Sequence, residues 1–110
     1  MTELLKMSEN DLLEAVIDLA ETFKWRVFHV RPGLDRHGRW TTAMSGSDAA
    51  GWPDLCMVRE RVIWAELKSA DGRLTPAQQD WLFALTHANA ETHVWRPYQW
   101  RDGTIEEVLR

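Results

Sequence analysis

Residues 51–74, GWPDLCMVRERVIWAELKSADGRL, set Asp54, Glu66 and Lys68 among apolar side chains. Side chains two apart on a strand share a face, so a strand through Glu66 points it and Lys68 one way and Leu67 the other. Asp54 opens the preceding apolar run, and a hairpin between the two runs brings its carboxylate near that of Glu66. Two carboxylates at short range repel, and one takes up a proton unless a cation joins them. A hard divalent ion such as Mg²⁺ suits the pair, because it takes oxygen ligands, keeps several waters and tolerates two carboxylates plus a phosphate. A lysine beside such an ion stabilises developing negative charge or holds the attacking water. Together these residues suit metal-assisted phosphodiester hydrolysis. Taken singly, each has a plainer reading: Asp54 as a turn acid after Pro53, Glu66 and Lys68 as a solvated charge pair on a strand face.

The elements that must position this set follow from patterning. SENDLLEAVIDLAETF, residues 8–23, predicts an amphipathic helix with Ser8 as N-cap and acids in its first turns. Leu12, Leu13, Val16, Leu19, Ala20 and Phe23 share one face, and Glu9 lies on it too; Asp11, Glu14, Asp18 and Glu21 point away. Glu9 equally fits the role of a first-turn acid that favours the helix dipole. Trp25 to Val30 reads as a strand ended by Pro32-Gly33. Residues 31–50 form a polar, basic, Gly-containing segment with a short strand near Trp40–Met44. Pro53 to Val58 and Val62 to Leu67 are the hairpin strands, turning at Arg59-Glu60-Arg61. Asp71-Gly72 breaks the chain, and Thr75-Pro76 opens a second helix with an apolar face of Trp81, Leu82, Leu85 and Ala88. A short strand at Thr92 to Trp95 and a short helix near Thr104–Leu109 complete the pattern. The order α-β-β-β-α-β predicts an α/β fold, a mixed sheet flanked by helices, in a single domain over residues 1–110.

Composition narrows the classes. The 110 residues are 45% hydrophobic and 27% charged, ordinary values for a soluble globular domain with a real core. The lone cysteine, Cys56, rules out an intramolecular disulfide and a Cys-based zinc site, and reads as a small buried residue. His29, His37, His87 and His93 lack ligand spacing. No basic, apolar leader and no run near the roughly 18 apolar residues of a membrane span is present, so an intracellular, cytoplasmic setting is expected. Net charge is −4, yet residues 22–73 carry nine Lys and Arg against six acids, whereas residues 1–21 carry six acids against one Lys. Arg31, Arg36, His37 and Arg39 in the Gly-containing segment, with Arg73, are candidate phosphate contacts. Of seven tryptophans, Trp25, Trp64, Trp81 and Trp95 read as core, and Trp52 is placed to flank a DNA path.

PD at 53–54, eleven further residues, then ELK at 66–68 resembles the PD-(D/E)XK nuclease signature. With GWPDL at 51–55, GRLTPAQQDW at 72–81 and SENDLLEAV before them, the chain resembles the VRR-NUC family, the virus-type replication-repair nucleases, over about residues 8–96. The resemblance implies a restriction-endonuclease-like core with Asp54 and Glu66 as metal-binding acids and Lys68 as the catalytic lysine. It also implies that the Leu67 backbone carbonyl joins the metal shell, and that Glu9 and Gln78 stand beside the site; Leu13 occupies a place where members often carry Gln. It further implies Mg²⁺, with Mn²⁺ substituting, and a stand-alone phage or bacterial enzyme cutting branched DNA, including four-way junctions, as a homodimer. Symmetric cutting of a junction needs two active sites, and a two-fold dimer supplies the pair. Two other outcomes remain open: the same chemistry on nicked, flapped or linear duplex, and a non-catalytic DNA-binding domain on a nuclease scaffold.

Overall fold

The computed structural model describes residues 6–29, 33–34, 37, 40–41 and 50–110. The first helix, α1, spans Glu9–Thr22. Ser8 starts it as expected, and does so through a capping box: Ser8 Oγ accepts from the Asp11 N–H at 3.0 Å and Asp11 Oδ2 accepts from the Ser8 N–H at 3.1 Å. Its end carries no glycine. Lys24 takes the left-handed conformation, φ 73°, and the Trp25 and Lys24 amides bond back to Ala20 O and Glu21 O, each at 3.0 Å. That reversal seats Trp25, whose Nε1 donates to Leu109 O at 2.8 Å.

The strands are β1 Arg26–His29, β2 Gly33–Leu34, β3 Trp40–Thr41, β4 Leu55–Val58, β5 Val62–Leu67 and β6 Glu91–Trp95. The helices after α1 are α2 Pro76–His87, α3 Pro97–Arg101 and α4 Thr104–Leu109. One four-stranded sheet runs β1-β4-β5-β6; β2 pairs with β3 alone. β1/β4 and β4/β5 are antiparallel, and β5/β6 is parallel, so α2 is the crossover connection between them. The sheet is therefore mixed and flanked by helices. Its own elements, α1, β1, β4, β5, α2 and β6, keep the expected order.

Alternation sorts the sheet into two unlike faces. Leu55 and Met57 of β4 with Ile63, Ala65 and Leu67 of β5 are fully buried, in one cluster with Leu12, Val16 and Ala20 of α1 and Ile105 and Leu109 of α4. The opposite face carries Phe28, Cys56, Trp64 and Glu66. Here the structure corrects the expectation that Trp64 and Trp81 are core: both are half-buried, Ala88 is exposed, and no α2 residue is fully buried. The reason is that Trp52 stands between helix and sheet, edge-on to Trp64 at 4.9 Å and to Trp81 at 4.6 Å. α3 was not expected. Five residues hold too little periodicity to read, but Pro97 opens it and Gln99 Oε1 accepts from the Arg96 N–H at 2.9 Å. Val30 and residues 42–44, included in expected strands, lie outside the described residues, as do Arg31, Arg36 and Arg39. Among the described residues, no helix is long and apolar enough to cross a membrane.

Candidate metal centre

Three local devices place Asp54. Gly51 has φ 84°, and a Cβ there would stand 2.4 Å from Ala77 C and 2.7 Å from Gln78 N, so only glycine lets the loop lie on the first turn of α2. Trp52 wedges beneath that helix, and Pro53 is fully buried. Asp54 then extends the hairpin register by one step: Leu55 opposes Ala65, which puts Asp54 opposite Glu66. Asp54 Oδ2 accepts from the Leu67 backbone N–H at 2.8 Å, fixing the carboxylate and leaving Oδ1 for other work.

Glu66 is 1% exposed and Lys68 8%. No donor reaches either Glu66 oxygen. Such a carboxylate is rare, because a buried charge without a partner costs several kcal/mol. The fold meets this without a cation by holding the proton: the Glu66 carboxyl is pushed up to about 9, first by burial, then by its hydrogen-bonding approach to Asp54 and that group's charge, with Lys68 pulling the other way. Glu9, the first residue of α1, completes the cluster. One ligand oxygen each from Glu9, Asp54 and Glu66 lie within 4.8 Å of one another. Glu9 is itself raised, by burial and by Asp54, with Lys68 again opposing. Three acids, from α1, from the loop before β4 and from β5, thus converge with a lysine beside them. All are hard oxygen donors, and the Glu66 oxygens are orphaned, which is the donor set a Mg²⁺ or Mn²⁺ ion takes.

Other sequence-predicted residues stand as follows. The Leu67 side chain is buried on the far face, and its amide serves Asp54. Gln78 is engaged as a helix cap: its Oε1 accepts from the Thr75 N–H at 2.9 Å, while Thr75 Oγ1 accepts from the Gln78 N–H at 3.2 Å. Arg73 and His37 are exposed. Leu13 is half-buried against the core. His93 bonds Glu91 at 2.8 Å, and His87 lies against Phe83 at 4.4 Å; neither joins the acid cluster. Arg96 escaped the sequence reading, since its contacts lie 24 and 27 residues away.

No protein-family model matches the chain, and neither a curated protein nor a solved structure matches it.

Proposed function

We propose that the protein is a Mg²⁺-dependent endodeoxyribonuclease of the VRR-NUC kind, on a restriction-endonuclease-like core, hydrolysing phosphodiester bonds in branched DNA. One observation carries this reading. A fully buried glutamate with two donor-less oxygens faces two further carboxylates, an arrangement that repels itself unless a proton or a cation sits among them, and a divalent cation is the partner that satisfies all three acids at once. Asp54, Glu66 and Glu9 would hold the ion, with Mn²⁺ able to replace Mg²⁺. When bound, the ion supplies Lewis acidity to the phosphodiester and an ionised water.

The chain's own residues do the rest. Leu67 N–H holds Asp54 in place, so the carboxylate needs no reorganisation as charge develops. Burial of Glu66 and Lys68 keeps the local dielectric low, which strengthens the Lys68 ammonium's pull on an anionic transition state. Arg73, exposed beyond the turn that follows Lys68, is suited to the DNA backbone, as are Arg31, Arg36 and Arg39 from their place in the sequence. With one such acid cluster among the described residues, paired cuts across a four-way junction call for a homodimer.

The test is cleavage of labelled four-way, flapped, nicked and linear DNA at matched concentration, with Mg²⁺, with EDTA and with Glu66→Ala. The reading predicts paired symmetric nicks in the junction, abolished by EDTA and by Glu66→Ala. Equal rates on all substrates would remove the junction preference and keep the chemistry. Salt-sensitive DNA binding without metal-dependent turnover would replace the enzyme by a DNA-binding domain on the same scaffold.

A further inference from the structure

Lys68 is the first residue past the end of β5, so the ladder alone does not fix it. Its amide makes one more bond to the neighbouring strand, donating to Trp95 O at 3.0 Å. The chain then turns back on itself through residues 69–72. A Cβ added at Gly72 would lie 2.8 Å from Ser69 Oγ and 3.7 Å from Lys68 Cδ, so this turn is tight and lies along the Lys68 stem. Its internal backbone bond is long, Gly72 N–H to Ser69 O at 3.3 Å. What closes it is a side chain from another element. Arg96 Nη1 donates to Ser69 O at 2.8 Å and to Gly72 O at 2.6 Å, gripping both ends of the turn. Arg96 is itself anchored, since its amide is bonded by Gln99 and Pro97 behind it is buried.

We propose that Arg96 is a positioning residue for Lys68: it clamps the turn that walls the lysine's aliphatic stem and so aims the ammonium at the acid cluster. A guanidinium suits the task, because it is always charged and its donors are held in a rigid plane. The proposal rests on the functional reading above only in what the aimed ammonium does there. A displacement near 1 Å of a catalytic group can cost about 10²-fold in rate.

The chain has three lysines, Lys6, Lys24 and Lys68, and the first two are exposed, so ¹³C-lysine labelling gives a spectrum in which Lys68 stands apart. The probe is the Lys68 ¹³Cε–¹Hε resonance, assigned with Lys68→Arg, in wild type, Arg96→Met and Arg96→Lys. Methionine keeps the packing volume and removes the donors. The expected result is that the resonance in Arg96→Met moves at least about halfway to the position of the exposed lysines and that Arg96→Lys brings it back. An unmoved Lys68 signal in folded Arg96→Met overturns the proposal. So does loss of fold in Arg96→Met by circular dichroism, which would make Arg96 a general structural residue. On junction DNA, Arg96→Met should lower kcat by about 10-fold or more with KM within about threefold, and should add nothing to Lys68→Ala. Equal further loss in the Lys68→Ala background also overturns it. Should the wild type cut no DNA, the functional reading fails while the lysine resonance still decides the positioning role.

Discussion

The two ends of the β4–β5 hairpin both carry acidic and basic residues, and they handle them in opposite ways. At the turn end, Arg59, Glu60 and Arg61 are all met. Arg59 pairs with Glu60, donates to Phe23 O at 2.9 Å and Leu109 O at 3.2 Å, and lies 4.5 Å from the Trp25 ring centroid. Arg61 donates to Glu91 at 2.7 Å and to Val108 O at 3.0 Å. The acids respond: the Arg59 hydrogen bond brings Glu60 down to about 2, and Glu91 is lowered because Arg61 and His93 outweigh the upward push of burial. These arginines also tie down the last carbonyls of α1 and α4, so the charges at this end fasten the helices to the sheet. At the open end, acids meet acids. Glu66 and Glu9 are raised, and the buried Glu66 oxygens have no donor. Charge that is paired reads as architecture; charge that is buried without a donor marks a candidate site.

That contrast can be broken by mutation, and the largest effect should come from Lys68 at the open end. Lys68→Ala should lower kcat on cleavable DNA by about 10²–10³-fold while leaving KM within a small factor, the size of effect seen when one charge-stabilising donor is removed. Glu60→Gln, at the paired end, should leave kcat unchanged in the same assay. Comparable losses in both variants would mean that the two ends are not functionally distinct.

A smaller effect should come from the loop that places Asp54. Gly51→Ala forces a side chain onto the α2 backbone at a positive φ, and should destabilise the fold by at least about 2 kcal/mol in denaturant titration. Unchanged stability would mean that the loop can leave the helix without cost.

The most diagnostic effect is in pH. The folded Glu66 carboxyl sits near 9 against 4.5 for an ordinary glutamate, so between those values the unfolded chain has released a proton that the folded one keeps. Stability from this group is therefore lost as pH rises from 4.5 toward about 9. Glu60 runs the other way, its contribution present above 4.5 and lost as pH falls toward about 2. Without metal, the melting temperature should decline across the alkaline arm. Glu66→Gln should flatten that decline, and saturating Mg²⁺ should reduce it. A decline of equal slope in Glu66→Gln would remove Glu66 as its source.

Much of this site was legible in the sequence, because it rests on local rules. Strand period placed Glu66 and Lys68 on one face, hairpin register brought Asp54 opposite Glu66, and Ser8 and Thr75 announced the helix starts. The first-turn position of Glu9 fitted two readings, and only its approach to Asp54 and Glu66 in space favours one. What escaped depends on contacts far apart in sequence or on exceptions to the turn rules. Lys24 closes α1 in the left-handed conformation without a glycine or asparagine to mark it. Trp52 interposes itself under α2, so an apolar pattern that promised full burial delivers only half. Arg96 reaches back to Ser69 and Gly72, and nothing in its local sequence points there.

The central claim is that the three acids form a divalent-cation site, and the most direct measurement is calorimetric titration of Mn²⁺ into DNA-free protein, wild type and Glu66→Ala, near pH 7 in two buffers of different protonation enthalpy. The account predicts saturable binding in the wild type with release of the proton that Glu66 holds, and loss of both in Glu66→Ala. Mn²⁺ binding no stronger in the wild type than in Glu66→Ala would contradict it.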